Sequence, residues 1–283
     1  MERYIGSPPF QWKGEINRTS PQAHGLTALF HPLMHWRDLI GGYQMSPVGN
    51  AAATGVDAQL GRTYALDGTD DCAYVTLPDA WKLQRFTLAA WVKITATGGV
   101  VFSLLPRGAG NDARGIYFTA YTTEGRIIIG AGTGSYTFGG GAAGAIAAGG
   151  TRHIVGSYDG ANLYYFVDGV LKTTTAATIT ISYADKAGSH GPNPASAYIG
   201  GYHSAINSSP GTTADILYEF NGQVGPVSLY NRALSAAEVW SLYDPQTRWE
   251  LYQPPRPMVW WMPPPAGTII PLVRHHMLQQ GMA

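Results

Sequence analysis

The sequence predicts an all-β protein, and three observations support this fold class. The chain contains 36 glycines, only 13% charged residues and 12% aromatic residues, a composition that favours short turns between apolar and aromatic strands. Two Asp-Gly pairs, at 159–160 and 168–169, are flanked by apolar and aromatic residues. The segment from Phe86 to Thr95 places apolar side chains at alternate positions, which is typical of a central β-strand.

Each Asp-Gly pair predicts a tight hairpin turn, because both residues tolerate the positive φ that such turns require. The stretch from Thr151 to Thr175 should therefore form three short antiparallel strands. Side chains alternate between the two faces of a strand, so we expect Leu163, Tyr165 and Val167 to share one face of the middle strand.

Further strands are predicted on both sides of these hairpins. A polar turn at 67–71 divides the segment from Arg62 to Leu77 into two strands, and the glycine- and alanine-rich stretch 139–150 is expected to be a loop. The remaining candidate strands are Val100–Leu105, Gly115–Tyr121, Arg126–Ala131, Ala197–Gly200 and a final segment within Tyr218–Tyr230.

One short helix is predicted near the end of this region. Ser235 and Glu238 form a capping box ahead of Val239, Trp240 and Leu242. The Asp-Pro pair at 244–245 ends the helix, because the residue before proline disfavours helical geometry. This pattern places the end of the β domain at about residue 243.

Extensions are predicted on both sides of a domain at residues 22–243. Residues 1–21 form an extended arm, and the tail 244–283 holds eight of the 19 prolines, which excludes sheet interior. Both extensions carry tryptophans, which would anchor them on a partner or pack on their own domain. These candidate anchors are Trp12, Trp249, Trp260 and Trp261.

Composition and charge exclude several classes of protein. The 18 basic and 18 acidic residues cancel, so neither a nucleic acid nor a membrane is an expected partner. Cys72 is the single cysteine, which rules out an internal disulfide, and it is expected to be a buried apolar residue. The N-terminal residues do not resemble a conventional secretory signal, and no apolar run is long enough to span a bilayer.

Five segments in order resemble the laminin-G-like, concanavalin A-like lectin superfamily: LDGTDDCAYVTL, FTLAAWVKI, RHIVGSYDGANLYYFVDGVL, AYIGGY and FNGQVGPVSLYNRALSAAEVWSLY. The resemblance covers about residues 22–243 and implies a jelly-roll β-sandwich of two antiparallel sheets. The preceding block looks like the leader of such domains in virion proteins of tailed phages. That second resemblance rests on the segments Asn17-Arg18, His24-Gly25-Leu26 and Asp38-Leu39 with Gly41-Gly42.

Some members of the superfamily bind calcium at one rim of the sandwich. The resemblance implies a calcium site here from Asn111 and Asp112 together with Asn207 and Asp215. Ca²⁺ prefers six to eight oxygen ligands, so carbonyl groups and water would have to complete the set, and the alternative is ordinary polar loop residues. The acidic turn at 67–71 is explained by turn geometry. No other cofactor is expected.

Other relatives of this fold are β-glucanases with two glutamates on one strand. Glycoside hydrolysis needs two carboxyl groups a few ångströms apart, which alternate positions of a strand supply. None of the six glutamates in this chain has another within four residues. Neither a nucleophile elbow nor a phosphate-binding loop is present, and Pro32 between His31 and His35 argues against a helical metal face. We therefore expect no enzymatic activity.

The leading functional hypothesis is a structural protein of a tailed-phage virion, made in the host cytoplasm, such as a capsid decoration, head-fibre or tail-associated subunit. Its arms would bind other virion proteins or further copies of itself. The alternatives are a free carbohydrate-binding lectin module and, less favoured, a glycoside hydrolase. Glycan recognition uses aromatic platforms with polar neighbours, and packing is the alternative role for each candidate. These candidates are Trp81, Tyr136, Tyr183 and Tyr202.

Overall fold

A computed structural model describes residues 12, 14–58, 60–105, 114–132, 135–140, 146, 148–184, 195–203 and 216–252. Within these residues the chain is mostly β-strand. The strands are, in chain order, β1 (Leu26–Phe30), β2 (Ser46–Val48), β3 (Ala52–Asp57), β4 (Gly61–Asp67), β5 (Cys72–Thr76), β6 (Phe86–Ile94), β7 (Gly98–Leu105), β8 (Arg114–Tyr121), β9 (Gly125–Gly132), β10 (Ser135–Gly140), β11 (Thr151–Tyr158), β12 (Asn162–Val167), β13 (Val170–Ala176), β14 (Ser196–Ile199), β15 (Tyr202–His203), β16 (Ile216–Leu217) and β17 (Asn221–Tyr230).

The strands form two large antiparallel sheets in a jelly-roll sandwich, as predicted. The first sheet has the order β13-β12-β11-β6-β17-β4-β3, with β1 also paired to β17, and the second has the order β10-β9-β8-β7-β14-β5-β2. A separate pair, β15 and β16, extends beside the second sheet. Three short 3₁₀ helices (Pro21–Ala23, Pro32–Met34 and Asp79–Trp81) and one α-helix, α1 (Ala236–Tyr243), complete the described elements.

The hydrophobic core lies between the two sheets. Alternate residues of β6 point inward, including Phe86, Leu88 and Ile94, and they meet Phe102 and Phe118 from the second sheet. All five of these side chains are fully buried. The alternation seen in the sequence of β6 therefore marks the core face of a central strand.

The two predicted hairpins are confirmed. Strands β11, β12 and β13 pair as consecutive antiparallel neighbours, and Asp168 adopts φ 52° at the second turn. At the first turn, the carboxylate of Asp159 accepts hydrogen bonds from the Ala161 and Asn162 amides at 2.8 and 2.7 Å. The aspartates therefore act in turn geometry, and the turns fix the register of the middle strand β12.

The first residues after the predicted boundary at residue 243 pack on the domain. Ile16 and Tyr252 form an antiparallel bridge, and the Asn17 amide donates to the Leu251 carbonyl at 2.9 Å. Buried Leu251 and Tyr252 pack against Leu29 of β1. We call residues 244–252 the C-terminal strap. The strap pairs with the N-terminal segment and covers part of the outer face of the first sheet.

Cys72 is fully buried, as expected, and burial raises the pKa of its thiol to about 12. A thiol with this pKa is almost entirely protonated at neutral pH, so it is a weak nucleophile. Its role in the fold is that of a small apolar residue on β5. Within the described residues, no helix is long and apolar enough to cross a membrane.

The capping box of helix α1 should contribute measurably to the stability of the domain. The hydroxyl of Ser235 accepts from the Glu238 amide at 3.3 Å, and the Glu238 carboxylate accepts from the Ser235 amide at 2.8 Å. Replacing Ser235 with alanine should lower the free energy of unfolding by about 0.5–2 kcal/mol. Urea unfolding of Ser235→Ala and of the exposed control Gln246→Ala would measure this loss of free energy. Equal unfolding midpoints for the two variants would show that the cap does not stabilise the domain.

The same cap should weaken in acid. A hydrogen bond from Arg232, followed by those from Ser235, lowers the pKa of Glu238 to about 2 despite partial burial. A lowered folded-state pKa stabilises the protein above the ordinary pKa of the carboxyl group, and this stabilisation disappears as the pH falls from about 4.5 to 2. Because the Glu238 side chain is 38% exposed, solvent screening keeps this loss of stability in acid small.

Candidate functional site

A cluster of tyrosines lies on the outer face of the second sheet. Tyr202 stacks on Tyr218 with ring centroids 5.6 Å apart and an interplanar angle of 17°. Tyr117 meets Tyr202 edge to face, at 5.1 Å and 85°. Tyr218 is 58% exposed, whereas Tyr202 and Tyr117 are buried beneath it. We call Tyr117, Tyr202 and Tyr218 the tyrosine platform, with Tyr218 as its open surface.

Strand alternation places the platform on this face. Ile116 and Phe118 of β8 belong to the central core, whereas Tyr117 between them joins a separate cluster with Val100 and Tyr202. Side chains of one strand alternate between the faces of the sheet. The platform therefore points away from the core, toward solvent.

The backbone of Tyr218 has an unusual conformation. Its φ is 54°, in the left-handed region that costs about 1–3 kcal/mol for a residue of this size. Its carbonyl accepts from the Val100 amide at 2.8 Å, and a Cβ on Gly99 would lie 2.6 Å from that oxygen. Glycine at 99 thus allows the close approach that holds Tyr218 in place. Such strain often accompanies a functional residue.

Polar groups border the platform on one side. Tyr121 follows Tyr117 on the same face of β8, and burial, then Tyr218 and Tyr202, raise its pKa to about 12. Glu124 and Arg126 form an ion pair next to it. An open aromatic face beside hydroxyl, guanidinium and carboxylate groups can stack on an apolar ring face and orient polar substituents.

The structure corrects one of the four predicted glycan-binding residues, Trp81, and shows a second, Tyr183, half-buried. Trp81 is fully buried, because the short helix Asp79–Trp81 turns its ring into the core, so it offers no surface to a ligand. Tyr183 packs against the core, and its hydroxyl donates to the Leu83 carbonyl at 2.8 Å. Tyr202 belongs to the tyrosine platform. The side chain of Tyr136 lies outside the described part of the chain.

The sequence analysis missed Tyr117, Tyr121 and Tyr218. Tyr117 and Tyr121 occupy alternate positions of a strand whose inward residues were recognisable, so the outward face could have been identified. The exposure of Tyr218 could not be predicted from the sequence, because the position of this residue depends on the close approach of its carbonyl to Gly99, far away in the chain.

The four predicted calcium ligands, Asn111, Asp112, Asn207 and Asp215, lie outside the described residues. Within the described part of the chain, the carboxylates of the 67–71 turn lie within 4.8 Å of one another. Asp71 accepts from the amides of Asn50 and Asp67 at 2.8 and 3.0 Å. These hydrogen bonds account for the buried carboxylate as part of the turn.

Two predicted anchor residues pack on their own domain. Trp12 meets His31 and Tyr252 with ring centroids 4.7 and 4.9 Å apart. Trp249 lies on the C-terminal strap beside Tyr252, at 5.9 Å. Intramolecular contacts therefore half-bury both rings, which corresponds to packing on their own domain, one of the two roles that the sequence left open for them. Trp260 and Trp261 lie outside the described residues.

Comparison with known proteins identifies the family. The model of the concanavalin A-like lectin/glucanases superfamily (Laminin_G_3) matches residues 67–240. The match spans more than half of the chain, and the chain belongs to this superfamily. No curated protein sequence matches significantly.

Solved structures with the same fold share little sequence with this chain. Domain 4 of AbnA, an extracellular arabinanase of Geobacillus stearothermophilus solved with arabinotriose, is 16% identical with TM-score 0.51, over 77% of this chain and 98% of that one. The binding domain of botulinum neurotoxin DC, solved with SialylT, is 9% identical with TM-score 0.54, over 78% of this chain and 52% of that one.

A third similar structure is the Trypanosoma rangeli sialidase solved with sialic acid. It is 19% identical with TM-score 0.52, over 77% of this chain and 32% of that one. The present chain thus spans about half of the neurotoxin fragment and a third of the sialidase. At these identities the similarity establishes the fold, which is a lectin-like β-sandwich.

Proposed function

We propose that this chain is a non-enzymatic glycan-binding protein that uses the tyrosine platform. The observation that carries the proposal is the 58% exposed Tyr218 ring, stacked on Tyr202 at 5.6 Å and bordered by polar groups. Stacking keeps the outer ring rigid, so little conformational entropy is lost when a sugar packs against it. The sugar-bearing structures that share this fold support the same function for the present chain.

Replacing Tyr218 with alanine should weaken glycan binding about 30-fold or more, as expected for an aromatic residue at the centre of a binding surface. The glycan would first be selected on an array and its affinity then measured by calorimetry, with and without calcium. The calcium arm also tests the site implied for Asn111, Asp112, Asn207 and Asp215.

Trp240→Ala is the matched control for this prediction. Trp240 is 48% exposed on helix α1, outside the tyrosine platform, and its removal should leave glycan affinity unchanged. A wild-type protein that binds nothing on the array in either condition would overturn the proposal. Equal losses of affinity in Tyr218→Ala and Trp240→Ala would also contradict it.

We propose further that the protein is part of a tailed-phage virion. The phage-like leader supports this role, and so does the bridge between Ile16 and Tyr252. The bridge places the two ends of the described chain side by side, and we propose that a neighbouring virion protein or a second copy binds next to them. Mass spectrometry of purified particles is the test. Detection in the infected lysate but not in the particles would contradict this role and favour a free lectin.

We propose that this chain has no enzymatic activity, and Glu219 is the residue at which this can be tested. Burial, followed by Asp70 and Asp67, raises the pKa of Glu219, and a raised pKa is typical of a general acid. We expect no release of reducing sugar from any glycan that the array identifies. Turnover by the wild type that is lost in Glu219→Gln would instead establish a glycoside hydrolase.

A further inference from the structure

A small cavity lies between the outer face of the first sheet and the C-terminal strap. It is on the opposite side of the sandwich from the tyrosine platform, and its volume is about 40 Å³. Aromatic and aliphatic side chains form most of its wall, and five side chains with a hydroxyl, imidazole or guanidinium group interrupt that wall. These side chains are those of His153, Ser228, Tyr230, Arg248 and Tyr252.

Three polar atoms of these side chains are buried without a hydrogen-bond partner. They are Nδ1 of His153, the hydroxyl of Tyr230 and Nε of Arg248. Ser228 lies beside Tyr230 and partly opposes the rise that burial causes in the pKa of the Tyr230 hydroxyl, but the hydrogen bond that its own hydroxyl donates to the Ala89 carbonyl is long, at 3.5 Å. Leaving a buried polar group unpaired costs about 1–3 kcal/mol. Three such groups around one cavity indicate that the cavity holds a polar occupant.

The electrostatics of the cavity favour an anion. The guanidinium group of Arg248 lies 4.8 Å from the centre of the Trp249 ring and 5.6 Å from that of Trp91, so two indoles hold it. Among the described residues, Arg248 has no salt bridge, and the cavity wall contains no carboxylate. Asp244 interacts with Arg248 from outside that wall.

The polar groups of the cavity act mainly as donors. Arg248 Nε–H and the Tyr230 hydroxyl can both donate, and neutral His153 donates from Nδ1 in one tautomer. Burial and the Arg248 charge lower the pKa of His153 to about 3, so the imidazole is neutral at pH 7. The wall therefore combines one fixed positive charge with neutral donors.

We propose that this cavity binds a carboxylate group, with Arg248 and Tyr230 as its donors. A cavity of about 40 Å³ has room for about two or three water-sized atoms, which matches the two oxygens of a carboxylate. Its volume excludes a whole sugar ring. The carboxylate would thus come from a small organic acid or from an acidic sugar whose ring stays outside, against Trp249.

The experiment compares ligands that differ only in the carboxylate. Acetate and glucuronate are the probes, and acetamide and glucose are their neutral counterparts. Binding is followed by the fluorescence of Trp91 and Trp249 and by the ¹⁵N shifts of the His153 ring, which report a new hydrogen bond at Nδ1. We expect saturable changes with the acids and none with the neutral counterparts. A response to acetate alone would indicate that the site binds a small organic acid. A response to both acetate and glucuronate would indicate a site that also accepts acidic sugars.

Two variants test the assigned donors, and a third controls for net charge. Arg248→Gln should weaken carboxylate binding about 30-fold or more, because it removes a desolvated charge partner. Tyr230→Phe removes only the unpaired hydroxyl, so the domain should fold normally and bind several-fold more weakly. Lys172→Gln removes an exposed charge from β13 and should change nothing, which controls for net charge.

Two outcomes would overturn this assignment. The first is an equal response to acetate and acetamide, which would identify a water-filled cavity. The second is unchanged acetate affinity in Tyr230→Phe and Arg248→Gln. Both outcomes leave the tyrosine platform untested and unaffected, because the platform occupies the opposite sheet and its variant Tyr218→Ala is measured separately.

Discussion

Replacing Trp81 with alanine is expected to destabilise the domain by about 3–5 kcal/mol, as for other large aromatic residues in cores. Trp81 is fully buried. Its ring meets Tyr43, Phe30 and Phe102 with centroids 5.2, 5.8 and 6.5 Å apart. The substitution would remove these contacts and leave a cavity that the rigid sheet on either side cannot close.

Denaturant unfolding measures this effect, with the free energy extrapolated at an unchanged slope. Trp240→Ala is again the control, because Trp240 is 48% exposed and its removal should cost much less. The result also separates the two roles considered for Trp81, which are packing in the core and stacking against a sugar. A variant of normal stability that loses glycan binding would restore the role as a sugar platform and would show that the core placement is wrong.

The elements that the sequence predicted best are those that local rules determine. The Asp-Gly turns at 159–160 and 168–169 need only the backbone freedom of their own residues, and the helix after Ser235 needs only its own cap. The pairing of β6 with both β11 and β17 joins segments far apart in the chain. No local pattern determines that arrangement. The resemblance to a known family predicted the jelly-roll sandwich of two antiparallel sheets but not this pairing.

The error at Trp81 has a physical explanation. The segment around it contains Pro78 and Asp79 and reads as a surface loop. Loops usually run over the surface, but a short helical turn can direct a single large ring inward. Whether it does so depends on the space between the sheets, which is a property of the assembled sandwich. The same limit applies to Tyr218, since Gly99 on another strand decides where that ring lies.

The chain ends illustrate a further limit of sequence analysis. The proline content of 244–283 predicted an extended segment outside the sheet interior, but it did not reveal what the strap contacts. The buried amide of Gln22 makes those contacts. It donates to the carbonyls of Ser241 and Thr247 at 3.0 and 2.9 Å, and its oxygen accepts from the Leu251 amide at 3.1 Å. Gln22 therefore adds three hydrogen bonds to those that Asn17 makes with the strap, and no composition rule can predict them.

The free energy of unfolding is expected to fall in acid because of His153. Burial, with a smaller effect of Arg248, lowers the pKa of this imidazole from 6.5 to about 3 in the folded protein. Between these values the unfolded chain binds one more proton than the folded chain, so stability rises with pH through this window. One pKa unit corresponds to about 1.4 kcal/mol, which gives a loss of about 2 kcal/mol from pH 6.5 to 5 and a few kcal/mol by pH 3.

Urea unfolding of the wild type and His153→Phe between pH 6.5 and 5 isolates this effect, because ordinary carboxylates titrate mostly below that range. The wild type should lose about 2 kcal/mol more than the variant across the window. Buffers without carboxylates are essential, since an anion beside Arg248 would favour protonated His153 and raise its pKa. Added acetate should therefore flatten the wild-type profile and leave that of His153→Phe unchanged. Parallel profiles in carboxylate-free buffer would show that the imidazole beneath the C-terminal strap is accessible to protons in the folded protein.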